Sequence, residues 1–113
     1  MNNCIFCKIA NGEIETDKIY EDDFVTAFKD LNPQAPIHIL VVPKKHYDNI
    51  LEVEDSDNII SKIYSAINKI AKQEHFDESG FRVINNCGKD AGQTVMHLHF
   101  HVIAGKTLGE KIV

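Results

Sequence analysis

The residues best equipped for chemistry are histidines. His97, His99 and His101 alternate with Leu98, Phe100 and Val102 inside the stretch 95–104, VMHLHFHVIA. Successive side chains of a strand point to opposite faces. The spacing therefore predicts a strand over 95–104, with the imidazoles on one face and Met96, Leu98, Phe100 and Val102 entering a core on the other. Alternate residues lie roughly 7 Å apart, close enough for three rings to surround one phosphate-sized group. A metal site is the rival reading, since neutral imidazole is the commonest metal ligand and His-x-His on a strand suits zinc or iron. A solvated polar face is the plainest reading, but Lys, Glu or Thr would serve it equally well.

Cys4 and Cys7 form the second cluster. Cys-x-x-Cys is half of a zinc site, and zinc usually takes four ligands, so the other half must come from elsewhere in the chain. A redox pair of the thioredoxin kind is a weaker reading, because no strand precedes the cysteines to build a βαβ unit. Two inert buried cysteines are the third reading. With Cys87 the cysteines number three, and in a reducing compartment such a pair is more often a metal or redox device than a structural disulfide.

The elements that must position these groups follow from pattern. The 113 residues suit one domain, expected over 1–113, with one core. A net charge of −5 argues against sequence-independent nucleic-acid binding, which needs a basic footprint, but allows a nucleotide as a small ligand. The sequence contains neither an apolar run long enough to span a bilayer nor, after Met-Asn-Asn-Cys, a signal peptide's apolar region. A cytoplasmic location is the expectation. Apolar residues at 5, 6 and 9, followed by Gly12, predict a short helix with Cys4 and Cys7 on one side. Residues 14–20 and 24–28 read as strands joined by the turn Glu21-Asp22-Asp23. After the proline-broken loop 32–36, Ile37–Val42 is a near-continuous apolar strand suited to the middle of a sheet. His38 within it reads first as a hydrogen-bonded core residue. From an N-cap at Asp55 or Ser56, Ile59, Ile63, Ile67, Ile70 and Ala71 mark an amphipathic helix of about five turns. His75 suits the C-terminus of that helix and is assigned no chemistry. Residues 81–85 read as a strand, and 86–94 as a glycine-bearing loop whose backbone can approach an anion closely. That loop is not a Walker A sequence, and a plain hairpin connection is its simplest reading.

These residues carry a resemblance. His97-Leu98-His99-Phe100-His101-Val102-Ile103 matches in full the His-φ-His-φ-His-φ-φ signature of the histidine-triad (HIT) nucleotide-binding family, φ being apolar. Asp30–His38, Val42–His46, Asn86 and Gly92-Gln93-Thr94 look like its nucleoside phosphoramidase branch. The resemblance implies an α+β fold: a five-stranded antiparallel sheet, a short N-terminal helix and one long amphipathic helix. It further implies a homodimer with a sheet continuous across two subunits, and a purine nucleotide of AMP or GMP type as ligand, without membrane or nucleic-acid partners.

By the same resemblance His99 is the nucleophile toward an α-phosphate, His101 its phosphate-contacting partner and His38 the residue supporting them. Asp30 resembles the ribose binder, while Ile5, Phe6, Ile9, Phe28 and Leu31 match the walls of the base pocket, although any of these five suits a plain core. Asn86, Gly92, Gln93 and Thr94 match the phosphate and leaving-group contacts. Members with the cysteine pair resemble a zinc site completed by His46 and His97, so structural zinc is expected on Cys4, Cys7, His46 and His97, with no metal required for the chemical step. The tail Leu108–Val113 is short and has no tryptophan, whereas tails in the family it resembles help shape the leaving-group side. The implied activity is hydrolysis of purine nucleoside 5′-monophosphoramidates or acyl-nucleotides through a nucleotidyl-histidine intermediate. The alternatives are a dinucleoside polyphosphate hydrolase and a non-catalytic nucleotide-binding adaptor stabilised by zinc.

Overall fold

The computed structural model describes residues 4–113. The domain expected over 1–113 begins with residues 1–3, which lie outside the described residues. The chain runs α1 (Ile5–Ala10), β1 (Lys18–Glu21), β2 (Val25–Lys29), β3 (Ile37–Pro43), α2 (Ile59–Gln73), β4 (Arg82–Ile84) and β5 (Phe100–Ala104), with short 3-10 turns between. The five strands form one sheet in the order β1-β2-β3-β5-β4, and every neighbouring pair is antiparallel. The near-continuous apolar strand is the central one, as its composition requires.

The sheet has two differently covered faces because strand side chains alternate. Val25 and Ala27 of β2, Ile39 and Val41 of β3, and Phe100, Val102 and Ala104 of β5 pack against the isoleucine stripe of α2. The opposite face carries Phe28, Leu40 and Val42, which α1 covers with Phe6, Ile9 and Ala10. The acidic turn is built by Asp22, whose Oδ1 accepts from the backbone N–H groups of Phe24 (2.7 Å) and Val25 (2.9 Å).

Four sequence expectations change. The strand expected over 14–20 is confined to Lys18–Glu21. The long helix starts at Ile59, after a 3-10 turn over Asp55–Asp57 and a left-handed Asn58 (φ 53°), so it has 15 residues and is about a turn shorter than expected. Asp57 is drawn into tertiary contacts with Lys45 and the buried Tyr47 hydroxyl, and the local helix start yields to them. The strand expected over 95–104 begins only at Phe100. Upstream, the Leu98 N–H donates to the Tyr47 carbonyl at 2.7 Å instead of extending the ladder. Met96 therefore falls out of the alternation and is 48 % exposed, whereas Leu98, Phe100 and Val102 are buried as expected. The strand expected over 81–85 shortens to Arg82–Ile84. Asn85 ends it by donating its side-chain amide to the His99 carbonyl at 2.9 Å.

Beneath α1, the Thr26 hydroxyl is fully buried without a hydrogen-bond partner, alone in this among the described residues. Burying an unpaired hydroxyl is costly, and a methyl of the same shape removes that cost. Thr26→Val should stabilise the fold by about 1 kcal/mol, seen as a higher urea midpoint with an unchanged slope.

Candidate active site and metal centre

The three triad histidines serve two different places. His97 turns toward the N-terminal cysteines, while His99 and His101 line a cavity of about 410 Å³ on the α1 face of the sheet. The three rings therefore do not surround one group, and His97 stands with the residues of the metal set that the resemblance implies.

At the first place, His97 Nδ1 lies 3.2 Å from Cys4 Sγ, 3.4 Å from Cys7 Sγ and 3.2 Å from His46 Nδ1. His46 Nδ1 is 3.2 Å from Cys7 Sγ, and the four donor atoms all lie within 4.8 Å of one another. The outward nitrogens are anchored: His97 Nε2–H donates to the Pro43 carbonyl at 2.9 Å and His46 Nε2–H to Asp48 Oδ1 at 2.7 Å. Carbonyls and carboxylates only accept, so each neutral ring keeps its proton on Nε2 and turns a bare Nδ1 lone pair inward. Burial pushes the His97 pKa down to about 4, which keeps that lone pair available. Burial, with Cys4 beside it, pushes the Cys7 thiol up to about 11, so metal binding must displace a proton. Two thiols and two imidazoles suit a tetrahedral ion, whose edges would be roughly 3.3–3.8 Å for zinc. The residues fit a metal, and all four are those expected.

At the second place, the hydrogen bonds fix both tautomers. His99 Nδ1 lies 2.8 Å from the His97 carbonyl, which can only accept, so Nδ1 carries the proton and Nε2 presents a lone pair. The Gln34 backbone N–H donates to His38 Nδ1 at 3.0 Å, which forces the neutral His38 proton onto Nε2. His38 Nε2–H then donates to His101 Nδ1 at 2.9 Å, with Asp30 Oδ2 3.4 Å away. His101 is left with its own proton on Nε2. The cavity thus holds one nucleophilic nitrogen and one N–H donor on rings whose centroids are 5.1 Å apart. His38 is buried and hydrogen-bonded, and it also sets the tautomer of His101.

Seven of the other candidate residues lie around one cavity. Ile5, Phe6, Ile9, Phe28, Asp30, Leu31 and Thr94 line the same cavity as His99 and His101. Phe6 stands edge-on to His99 with centroids 5.1 Å apart and edge-on to Phe28 at 5.6 Å. Leu31 is 90 % exposed at the rim. Asp30 Oδ1 accepts from the Asn32 N–H at 2.7 Å. Gln93 takes a different part from the one expected. Its amide nitrogen donates to the carbonyls of Asp48 (2.7 Å) and Val95 (3.0 Å), and its oxygen accepts from the Gly88 N–H (2.9 Å). The side chain shapes the loop. Gly92, with φ 86°, closes that loop's 3-10 turn in a conformation that favours glycine. Asn86 is half-buried at the loop's start, and neither it nor Gly92 is among the residues lining the cavity.

Sequence reasoning missed the supporting acceptors and donors: the Pro43 carbonyl, the Gln34 N–H, Asn85 and Asp48. Only Asp48 left a trace, as the His-x-Asp spacing after His46.

Residues 11–108 match the family model of the HIT domain. The chain belongs to the HIT family. Among HIT proteins of known structure, a histidine triad protein from Clostridium difficile is 62% identical and superposes with a TM-score of 0.94, covering 98% of this chain and 97% of that one. A HIT family hydrolase from Clostridium thermocellum is 46% identical, with a TM-score of 0.96 over 100% of this chain and 99% of that one. The purine nucleoside phosphoramidase of Escherichia coli strain K12 is 41% identical over 106 residues, 93% of this chain and 89% of its own. The HIT fold read from the sequence, with its antiparallel five-stranded sheet, short helix and main helix, is the fold observed.

The HIT site also carries a pH dependence. Burial, then the neighbouring His99 and His38, pushes the His101 pKa down to about 4 from an ordinary 6.5. Between those values the unfolded chain binds the extra proton and the folded chain does not, so stability is full above about pH 6.5 and declines as pH falls toward 4. Thermal melting across that window should show the decline, and His101→Asn should make it shallower.

Proposed function

We propose that the chain hydrolyses purine nucleoside 5′-monophosphoramidates or acyl-nucleotides through a nucleotidyl-His99 intermediate. The observation that carries this reading is the hydrogen bond between His99 Nδ1–H and the His97 carbonyl, which leaves Nε2 free to attack in a cavity bounded by apolar walls and Asp30. The named activity of the Escherichia coli relative supports the substrate class.

In this reading His99 Nε2 attacks the α-phosphorus, the Nε2–P bond forms and the P–N or P–O bond to the leaving group breaks, the leaving group taking the bonding pair and, where it is an amine, a proton from solvent. Imidazole is both a nucleophile and a good leaving group, so water then attacks the same phosphorus and releases the nucleotide and His99. His101 Nε2–H holds phosphate charge, and Thr94 stands beside it at the cavity wall. Asp30 binds ribose, and Phe6, Ile9, Phe28 and Leu31 flank the base. Zinc held by Cys4, Cys7, His46 and His97 would supply a structural cross-link, since a closed four-ligand set leaves no open position for catalysis.

The test is hydrolysis of adenosine 5′-phosphoramidate in ¹⁸O-labelled water. One labelled oxygen in AMP, with release of ammonia, is expected. AMP binding without release of amine from any phosphoramidate would favour the adaptor reading, and faster cleavage of a dinucleoside polyphosphate would move the activity to that substrate class.

The proposed assembly is a homodimer joined at a sheet edge. β4 pairs with β5 on one side only, and an unpaired strand edge invites a copy of itself in a closed two-fold arrangement. Light scattering at micromolar concentration should give a dimer; a stable monomer would contradict it. Among the described residues no helix is long and apolar enough to cross a membrane, and the location expected from the sequence remains the cytoplasm.

A further inference from the structure

The two clusters of the site share one element. Cys4 and Cys7 bracket Ile5 and Phe6, and with Ile9 these apolar residues form the α1 side of the cavity that holds His99. α1 has only six residues, too few to be stable as an isolated helix. Its apolar contact with the sheet is the small cluster of Phe6, Ile9 and Ala10 on Phe28, Leu40 and Val42. Apart from the bonds that the Cys7, Lys8 and Ile9 carbonyls accept from the N–H groups of residues 11–14 just after the helix, the polar contacts among the described residues that tie residues 4–10 to the rest of the protein are those of the two thiols with His46 and His97. His97 itself presents the carbonyl that orients His99, and the Phe6 ring touches both, with centroids 6.0 Å from His97 and 5.1 Å from His99.

We propose that the Cys4–Cys7–His46–His97 cluster is a coupling device. Metal in the cluster fixes Ile5, Phe6 and Ile9 against the nucleotide cavity and raises its affinity, and nucleotide in the cavity tightens the cluster for metal by the same factor. The equality is required because coupling between two bound ligands is reciprocal. Phe6 is the positioning residue that links them. The inference rests on the nucleotide and zinc assignments made above and adds their interdependence. Its consequence is that metal supply regulates substrate binding without the metal touching substrate.

The test has two arms on the full chain. In the first, AMP is titrated calorimetrically into zinc-loaded protein and into chelator-stripped protein, whose sheet is checked by circular dichroism. AMP affinity should fall at least tenfold on stripping. In the second, which needs only folded protein, zinc is competed at equilibrium against a chromogenic chelator with and without saturating AMP, and zinc affinity should rise by the factor lost in the first arm. Phe6→Leu keeps both thiols and should bring the AMP effect on zinc affinity close to one; an unchanged effect would overturn the route through Phe6. Binding of both ligands with no mutual effect would overturn the coupling while leaving both assignments standing. A loaded protein that fails to bind AMP, or a protein that takes up no zinc, would overturn the corresponding assignment and the coupling with it.

Discussion

His99→Ala should lower the turnover of adenosine 5′-phosphoramidate by roughly four to six orders of magnitude, while AMP binding changes by less than about fivefold. The asymmetry follows from where each group acts. In the proposed mechanism the attacking atom is His99 Nε2, and removing it removes the covalent route, whereas the nucleotide would be held by Asp30, Thr94 and the apolar walls that line the cavity. His101→Ala should be milder, on the order of a hundredfold to a thousandfold in kcat, because a charge-stabilising donor is lost while the nucleophile remains. His38→Ala should resemble His101→Ala in its kinetics. Without the N–H that His38 donates to His101 Nδ1, the second ring no longer has a fixed tautomer. Steady-state kinetics beside AMP calorimetry on the three variants separates these parts. A His99→Ala enzyme with near-normal kcat would remove the nucleophile from the scheme.

In the proposed zinc-bound protein, removing the metal should be the largest single loss of stability. A closed set of two thiolates and two imidazoles binds strongly, and that binding free energy adds to folding because the unfolded chain offers no preformed site. Chelation of purified protein should lower the melting temperature by more than about 10 °C, and Cys7→Ser should reproduce the drop without chelator. With the free Cys7 thiol pushed up to about 11 by burial, loading displaces a proton, so zinc affinity should fall as the solution is acidified. Scanning calorimetry with metal analysis decides the matter. Full thermal stability in metal-free protein would mean that the four side chains meet for another reason.

Much of this was legible in the sequence because pattern and chemistry coincided. The five strands, their central apolar member and the isoleucine stripe of α2 followed from periodicity, since each face of the sheet had to be buried against something. Cys-x-x-Cys announced half of a metal set, and the other half, His46 and His97, came from the resemblance to the HIT family and not from pattern. What pattern could not reveal was set by tertiary hydrogen bonds. Asp57 reaches Lys45 and Tyr47, which displaces the helix start that local preference favoured. Leu98 bonds to Tyr47 and Asn85 caps the His99 carbonyl, so the strict alternation over 95–104 does not make a strand of that whole stretch. Gln93 reads as a phosphate contact by motif, yet its amide is occupied by Asp48, Val95 and Gly88. The tautomers of His38, His99 and His101 depend on backbone groups that no side-chain pattern encodes.

The central claim is that His99 becomes covalently attached to the nucleotide. Enzyme mixed with a slow adenosine 5′-phosphoramidate, quenched within one turnover and digested at alkaline pH, where a phosphoramidate linkage to histidine survives, should yield an adenylylated peptide containing residues 95–104. Fragmentation should place the adduct on His99 in native protein, and the adduct should be absent from His99→Ala. An adduct on His97, His101 or any other residue, or full turnover with no adduct at any quench time, would contradict the account.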